Sequence, residues 1–253
     1  MYELGQVYGD RRTTWDRSIR RYARRVSTLA QIYTRRGLPR GRGSLPPEDV
    51  ANAQRQRILR AMVSATAALG YANVRVADVV NRARVSRQSF YALFADKEQC
   101  FLEAHAAGLE LIVERLARWT TTHGAAADDD DPTAPVRGAV TAYLVLAADE
   151  PEFARCMLIE LPAIGPAGLE ARVAAHREIA GLLQSWHHQA RQDHPHWPGV
   201  PDGRYPAAIG AVHDLLFDAV ASGDTERAPN LREDAVSAVL TLLEIPPVPA
   251  PAP

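Results

Sequence analysis

Val76-Ala-Asp-Val-Val-Asn-Arg-Ala-Arg-Val-Ser-Arg-Gln-Ser-Phe-Tyr-Ala-Leu-Phe94 is the stretch on which the fold turns. Val76, Val79 and Val80 recur at the spacing of one helix face, and Phe90 and Phe94 recur at the spacing of a second. Val85 fills the short gap between them. Two helices this short, joined by so few residues, read as a helix-turn-helix. The side chains left exposed on the second helix are Ser86, Arg87, Gln88, Ser89 and Tyr91. Hydroxyls suit phosphate oxygens, arginine suits guanine O6 and N7, and glutamine suits adenine N6 and N7. A plain helical hairpin inside a bundle is the competing reading, but it would not require an Arg/Gln/Ser tip. Residues 54–95 also carry seven arginines against the single acid Asp78.

Working outward, the segment Asp96 to about Thr122 has Phe101, Ala104, Gly108, Leu111 and Ile112 on one face and is expected to be one long helix. Before the motif, a helix is expected from about Val50, with Ile58, Met62, Val63, Thr66 and Leu69 inward and Gly70 as its stop. At these residues the chain resembles the tetracycline-repressor-like (TetR) family of transcriptional regulators. The resemblance rests on Gly70-Tyr71, Val76-x-Asp78-Val79, Ala83-x-Val85-Ser86, Phe90-Tyr91-x-x-Phe94 and Lys97-Glu98, and it covers about Gln54 to Phe101. It implies that Tyr91 and Lys97 touch backbone phosphate and that Arg87, Gln88 and Ser89 lie in the major groove. Three positions depart from the family pattern. Arg84 stands at the usual turn glycine, Arg75 at the customary hydroxyl cap, and Leu93 where many relatives have histidine. Arg75 is still counted among the expected DNA contacts.

Charge divides the chain as the motif would require. Residues 1–95 hold 18 arginines and 6 acids, whereas residues 96–253 hold 11 basic and 24 acidic side chains, although the whole carries only −1. A basic front facing a polyanion and an acidic remainder with another task is the expected division. Lys97 is the only lysine against 28 arginines, which a GC-rich genome explains better than a demand for guanidinium chemistry.

Four parts are expected along the 253 residues: a basic extension over 1–49, a DNA-binding domain over 50–95, a helical ligand-binding and dimerisation domain over 96–244, and a proline-rich disordered tail over 245–253. The extension contains an amphipathic helix on Trp15, Ile19, Tyr22, Val26, Leu29 and Tyr33 and then Pro39-Arg40-Gly41-Arg42-Gly43. That tract resembles the core of an AT-hook, with Gly43 in place of proline, so Arg40 and Arg42 are expected in an A·T-rich minor groove. A flexible linker is the alternative.

In the acidic part, further helices are expected over 135–148, 151–161, 167–192, 206–222 and 231–243, giving an all-α fold. The family resemblance implies a ligand cavity within 135–192, for which Tyr143, Phe153, Met157, Ile179, Leu183 and Trp186 are candidates, with His176 as a polar contact. It also implies that the last two helices pair with their copies in a homodimer. Ile209, Val212, Leu216, Phe217 and Val220 form one apolar face for this, and Val236, Val239, Leu240 and Leu243 the other.

The expected partners are thus palindromic double-stranded DNA, a second copy of the chain and an unidentified small-molecule effector. Repression is the expected output. A constitutive DNA-organising protein without effector is the nearest alternative, and a helical metal-dependent enzyme the alternative from another class. His187, His188, His194 and His196 fall within ten residues, but without cysteine or regular i, i+4 spacing a solvated helix end is the better reading. Asp128 to Asp131 reads as a solvated loop. No nucleophile triad, phosphate loop or dinucleotide fingerprint is present, so no enzymatic activity, metal or cofactor is expected. Two cysteines, Cys100 and Cys156, fit a reducing cytosol, and the longest uncharged run between Arg137 and Asp149 is 11 residues, too short to span a bilayer. A cytoplasmic location follows as an expectation.

Overall fold

A change from polar to apolar at helical spacing recurs along the chain, and each recurrence becomes a helix. The computed structural model describes residues 47–124 and 131–246, with side chains described over 49–118 and 131–246. Among these the regular elements are all helical. They are α1 (Pro47–Leu69), α2 (Val76–Ala83), α3 (Arg87–Tyr91), α4 (Lys97–Gly124), α5 (Ala134–Asp149), α6 (Pro151–Arg155), α7 (Pro166–Asp193), α8 (Arg204–Ala221) and α9 (Arg232–Leu242), with short turns of tighter or wider helix between some of them.

Local chemistry sets the boundaries of the helix-turn-helix. α1 stops at Gly70, whose φ of 75° is open to glycine without a side-chain penalty. A single 3₁₀ turn, Tyr71–Asn73, then leads to α2. Arg75 supplies no hydroxyl, but Asp78 reaches back and accepts a hydrogen bond from the Arg75 N–H at 2.9 Å, so one half of a capping box survives without the other. Arg84 takes the left-handed conformation, φ 54° and ψ 49°, in place of the expected glycine. That costs on the order of 1 kcal/mol, offset in part by the Val85 N–H to Val80 carbonyl bond that closes the end of α2. Ser86 caps α3 by accepting from the Ser89 N–H at 3.0 Å. The same logic starts α4: Asp96 accepts from the Gln99 N–H at 2.8 Å, and Gln99 accepts in return from the Ala95 N–H at 2.7 Å.

Packing follows the expected faces. Val79, Phe90 and Phe94 are almost completely buried, each contributing about 2 kcal/mol of apolar burial, and the two rings lie 5.5 Å apart. The first core does not stop at the expected boundary between 95 and 96. It runs from Ile58 and Met62 through Phe101 and Ile112 to Leu146, Phe153, Met157 and Ile179. Gly108 makes the join possible, because a Cβ there would lie 2.0 Å from the Phe153 ring.

α6 departs from the single expected helix over 151–161. It passes into a π-helical turn, Cys156–Glu160, and then a 3₁₀ turn, Leu161–Ile164. Pro162 has no N–H to continue the α ladder, and the Leu161 N–H bonds the Cys156 carbonyl five residues back.

A second core joins α5, α7, α8 and α9 around Leu144, Tyr205, Leu216 and Leu243. This corrects the expected dimer faces. Val212, Leu216, Val220, Val236, Val239, Leu240 and Leu243 are buried inside the chain itself, and Ile209 is half-buried against the same core. Of that set only Phe217 is exposed, at 48%. α8 and α9 are shielded by α5 and α7, so their apolar faces are satisfied without a partner. Among the described residues, no helix is long and apolar enough to cross a membrane.

Candidate nucleic-acid interface and internal cavity

α3 is too short to hold itself, and the turn before it does the positioning. Ser86 fixes its start, and Phe90 on the inner side fixes its roll. The opposite side then presents Arg87, Gln88 and Tyr91 to solvent, the tyrosine 57% exposed. Tyr91 is steadied by an edge contact with Phe90, ring centres 5.4 Å apart. Ser86 is exposed, and Ser89 is half-buried with its hydroxyl 2.9 Å from that of Ser86, so the pair is partly occupied by capping. Arg75 is exposed at the start of α2. Arg82 and Arg84 are exposed on the same motif. Sequence reasoning passed over them, although two arginines flanking the turn were the available signal. Arg40 and Arg42 lie outside the described residues.

Lys97 is placed differently from its expected role on phosphate. Its ammonium donates to the backbone carbonyls of Tyr71 at 3.0 Å and Val74 at 3.1 Å and lies over the Tyr71 ring, 4.5 Å from its centre. Of the three donors on an ammonium, two are spent inside the protein. Burial and the nearby acids Glu98 and Asp96 raise the Tyr71 hydroxyl to about 12. The other side of Tyr71 is held from the far domain. Glu160, only 6% exposed, accepts from the Tyr71 N–H at 2.9 Å and pairs with Arg155 at 3.2 Å. One residue between α1 and α2 is therefore clamped by α4 through its carbonyl and by the π turn through its N–H.

A cavity of about 70 Å³ lies in the second core, between α4, α5, α7, α8 and α9. Tyr143, Ile179, Leu183 and Trp186 line it. Phe153 and Met157 instead line a smaller cavity of about 20 Å³ beside the π turn, which Tyr143 also borders. His176 is absent from both linings but reaches the larger one through His213. The Tyr143 hydroxyl is 2.7 Å from His213 Nε2, and His213 Nδ1 is 2.8 Å from His176 Nε2. Burial, with His176 and Arg172 adding to it, pushes the His213 ring down to about 3, and burial lowers His176 as well. Burial raises Tyr143. All three are therefore uncharged near neutrality. His213 was missed in the sequence, where its signal was one imidazole inside the apolar run of α8.

The histidines near the end of α7 form an aromatic stack. His187 is fully buried with Nδ1 3.0 Å from the Tyr205 hydroxyl, and His194 stacks on Trp197 at 5.0 Å. Among the described residues, no three His, Cys, Asp or Glu side chains gather closely enough to hold a metal ion. Of the Asp128 to Asp131 run only Asp131 is described, and it accepts from the Thr133 N–H.

Residues 58–104, which span the helix-turn-helix and the start of α4, match the family of bacterial regulatory proteins, tetR family. The chain carries the amino-terminal domain of the TetR family. Beyond it, the fold resembles those of solved regulators of low sequence identity. The fatty acid degradation regulator FadR from Bacillus halodurans superposes with a TM-score of 0.66 at 14% identity, covering 78% of this chain and 97% of that one. FadR from Bacillus subtilis, in complex with stearoyl-CoA, gives 0.64 at 14% identity over 73% and 97%. SmeT, the repressor of the Stenotrophomonas maltophilia multidrug efflux pump SmeDEF, gives 0.58 at 19% identity over 80% and 99%. No curated protein matches the sequence.

Proposed function

We propose that this TetR-family chain is a DNA-binding transcriptional regulator that binds a palindromic operator as a homodimer, responds to a small molecule, and acts as a repressor. The observation that carries the reading is the exposed Arg87, Gln88 and Tyr91 face of a helix whose start and roll are fixed by Ser86 and Phe90. Arg87 and Gln88 are the base readers, and Tyr91 with the Ser86 hydroxyl and Arg75 anchors the backbone. Arg40 and Arg42 extend the contact into an adjacent minor groove.

For the dimer, the outer face of α8 replaces the inner one. Ala207, Asp214, Phe217 and Ala221 are exposed there, with Gly210 and Ala211 between them. This is a row of small residues that lets a second helix approach closely around one aromatic side chain, and Gly210 opens onto free space. On α9, Ser237 and Thr241 are also exposed, and Ala238 is half-buried. A two-fold dimer of this kind reads two half-sites about 34 Å apart. The effector site is the cavity lined by Tyr143, Ile179, Leu183 and Trp186. SmeT being a repressor and the Bacillus subtilis FadR binding an acyl-CoA support repression and ligand response by likeness of fold.

Selection of bound sequences from a random duplex pool with the purified chain tests the reading. A recovered palindrome, bound with a stoichiometry of two chains per duplex, supports it. Binding without sequence preference points instead to a DNA-organising protein.

A further inference from the structure

Two non-glycine residues among those described take a left-handed backbone, Arg84 and Glu244, each at φ 54°. That conformation is strained for a residue with a Cβ, and it is relieved in part only for Asn or Asp, whose short side chains bond the local backbone. Neither residue is of that kind. Strain of this sort persists where the side chain does something that glycine could not do. For Glu244 the structure supplies the reason, because its carboxylate pairs with Arg204 and ties the chain after α9 to the start of α8.

Arg84 has no such reason inside the chain. Its side chain is exposed, and among the described residues its guanidinium makes no hydrogen bond, ion pair or ring contact. The turn is held by backbone atoms: the Arg84 N–H donates to the Asn81 carbonyl at 3.3 Å and the Val85 N–H to the Val80 carbonyl at 3.1 Å. Glycine would make both bonds without strain. Glycine codons are as rich in G and C as arginine codons, so the base composition that explains the other arginines does not select arginine over glycine here. Arg82, two residues earlier, differs, since its guanidinium is turned back to the Ser64 hydroxyl at 3.4 Å.

Position indicates the partner. Arg84 lies between the end of α2 and Ser86, the cap that starts α3, and Arg87 is exposed one position beyond that cap. The first residues of such a helix reach base edges, and those just outside it lie beside the backbone that borders the groove. A guanidinium presents a planar fork that matches two phosphate oxygens. We propose that Arg84 grips a phosphate of the DNA backbone beside each half-site, and that this contact is what the strained turn retains. This rests on the reading of the chain as a DNA-binding regulator and adds to it a contact without sequence preference.

Fluorescence anisotropy over a range of salt concentrations tests it, with the palindrome recovered by selection and a duplex of scrambled sequence as probes, on the full chain carrying Arg84→Ala, Arg84→Gly or Arg84→Lys. Arg84→Ala and Arg84→Gly should weaken both duplexes alike, by about tenfold for each bound chain. The slope of log K against log salt should fall by about 0.9 for each chain. Arg84→Lys should keep the slope and recover only part of the affinity, having the charge without the fork. Without DNA, Arg84→Gly should melt at or above the parent and Arg84→Ala close to it, which separates lost binding from lost fold. Arg177→Ala, exposed on α7, removes the same charge outside the motif and should leave the slope unchanged. Parent affinity and slope in Arg84→Ala, with Arg87→Ala still weakening the palindrome, would overturn the Arg84 contact and leave the DNA-binding reading intact. Weakening by Arg84→Gly alone would overturn it too, by assigning the effect to a looser turn, and a preference relaxed at one base pair would replace the phosphate with a base. A parent that binds neither duplex would overturn the DNA-binding reading and this contact with it.

Discussion

Replacing Glu160 perturbs the one carboxylate that ties the π turn to the helix-turn-helix. The Tyr71 N–H opens a new turn after Gly70 has ended α1, so no carbonyl of its own helix is available to it, and Glu160 supplies the acceptor at 2.9 Å. In Glu160→Ala that buried N–H is left without a partner, which costs about 1–3 kcal/mol. Loss of the Arg155 pair adds little, about 0–1 kcal/mol, because Arg155 is more than a third exposed and its charge can be solvated. The expected sum is about 1–4 kcal/mol, a fall in Tm of about 2–16 °C for a chain of this length. Glu160→Gln keeps an acceptor oxygen in place and loses only the charge, so about 1 kcal/mol is expected. Urea unfolding of the full chain gives both numbers. Hydrogen exchange at the Tyr71 amide identifies the cause, since protection there should fall more than at Phe90 or Phe94. If Glu160→Ala unfolded within about 0.5 kcal/mol of the parent with the Tyr71 amide still protected, the clamp would not exist and another group would be satisfying that N–H.

Three further outcomes are expected. Arg87→Ala should weaken operator binding by about 1–3 kcal/mol and relax the preference at one base pair, whereas Tyr91→Phe should weaken all duplexes alike; fluorescence anisotropy with single-base operator variants separates the two, and equal behaviour would remove Arg87 from base readout. Phe217→Glu, at a position 48% exposed, should leave the fold intact and give monomers in sedimentation, whereas Leu216→Asp, at 1% exposure, should unfold the chain; a stable dimer of Phe217→Glu would place the interface elsewhere. The His105 ring is pushed down to about 4 by burial, so below pH 6.5 the unfolded chain takes up a proton that the folded chain refuses. Stability contributed by keeping His105 neutral is present above pH 6.5, is lost as pH falls towards 4, and amounts to about 2 kcal/mol between pH 7.5 and 5. His105→Gln should remove that share of the pH dependence of the urea midpoint, and an unaltered dependence would assign it to other histidines.

What could be read from the residues was whatever depends on local spacing. Val79, Phe90 and Phe94 announce two short helices because an apolar side chain every three or four residues must find a common interior, and the structure buries all three. Tyr143, Ile179, Leu183 and Trp186 were nominated only because the family resemblance implies a cavity; in the structure they border one from α5 and α7. Spacing carries no information about what lies across from a face. Leu216 and Val239 show the apolar pattern of an interface between copies and of an internal core equally well, and only the arrival of α5 and α7 decides for the core. Lys97 shows the same limit for a charged residue. Its place just after the motif suits a phosphate contact, yet the carbonyls of Tyr71 and Val74 reach it first because the 3₁₀ turn folds back over the start of α4.

Glu160 and His213 were hidden for a different reason. Each is a polar side chain in an apolar run, which a spacing argument treats as an interruption, and each finds its partner 89 or 37 residues away in the chain. A buried polar group in such a run is informative because its isolation is costly: it persists only where the fold brings a partner to it. Glu160 meets a backbone N–H that Gly70 has orphaned, and His213 meets two side chains that leave the cavity lined yet uncharged. The same two interruptions mark the joint between the π turn and the DNA-binding helices and the polar end of the cavity. In this chain the polar residues that break the apolar pattern locate the working parts, and the apolar residues that keep it locate the frame.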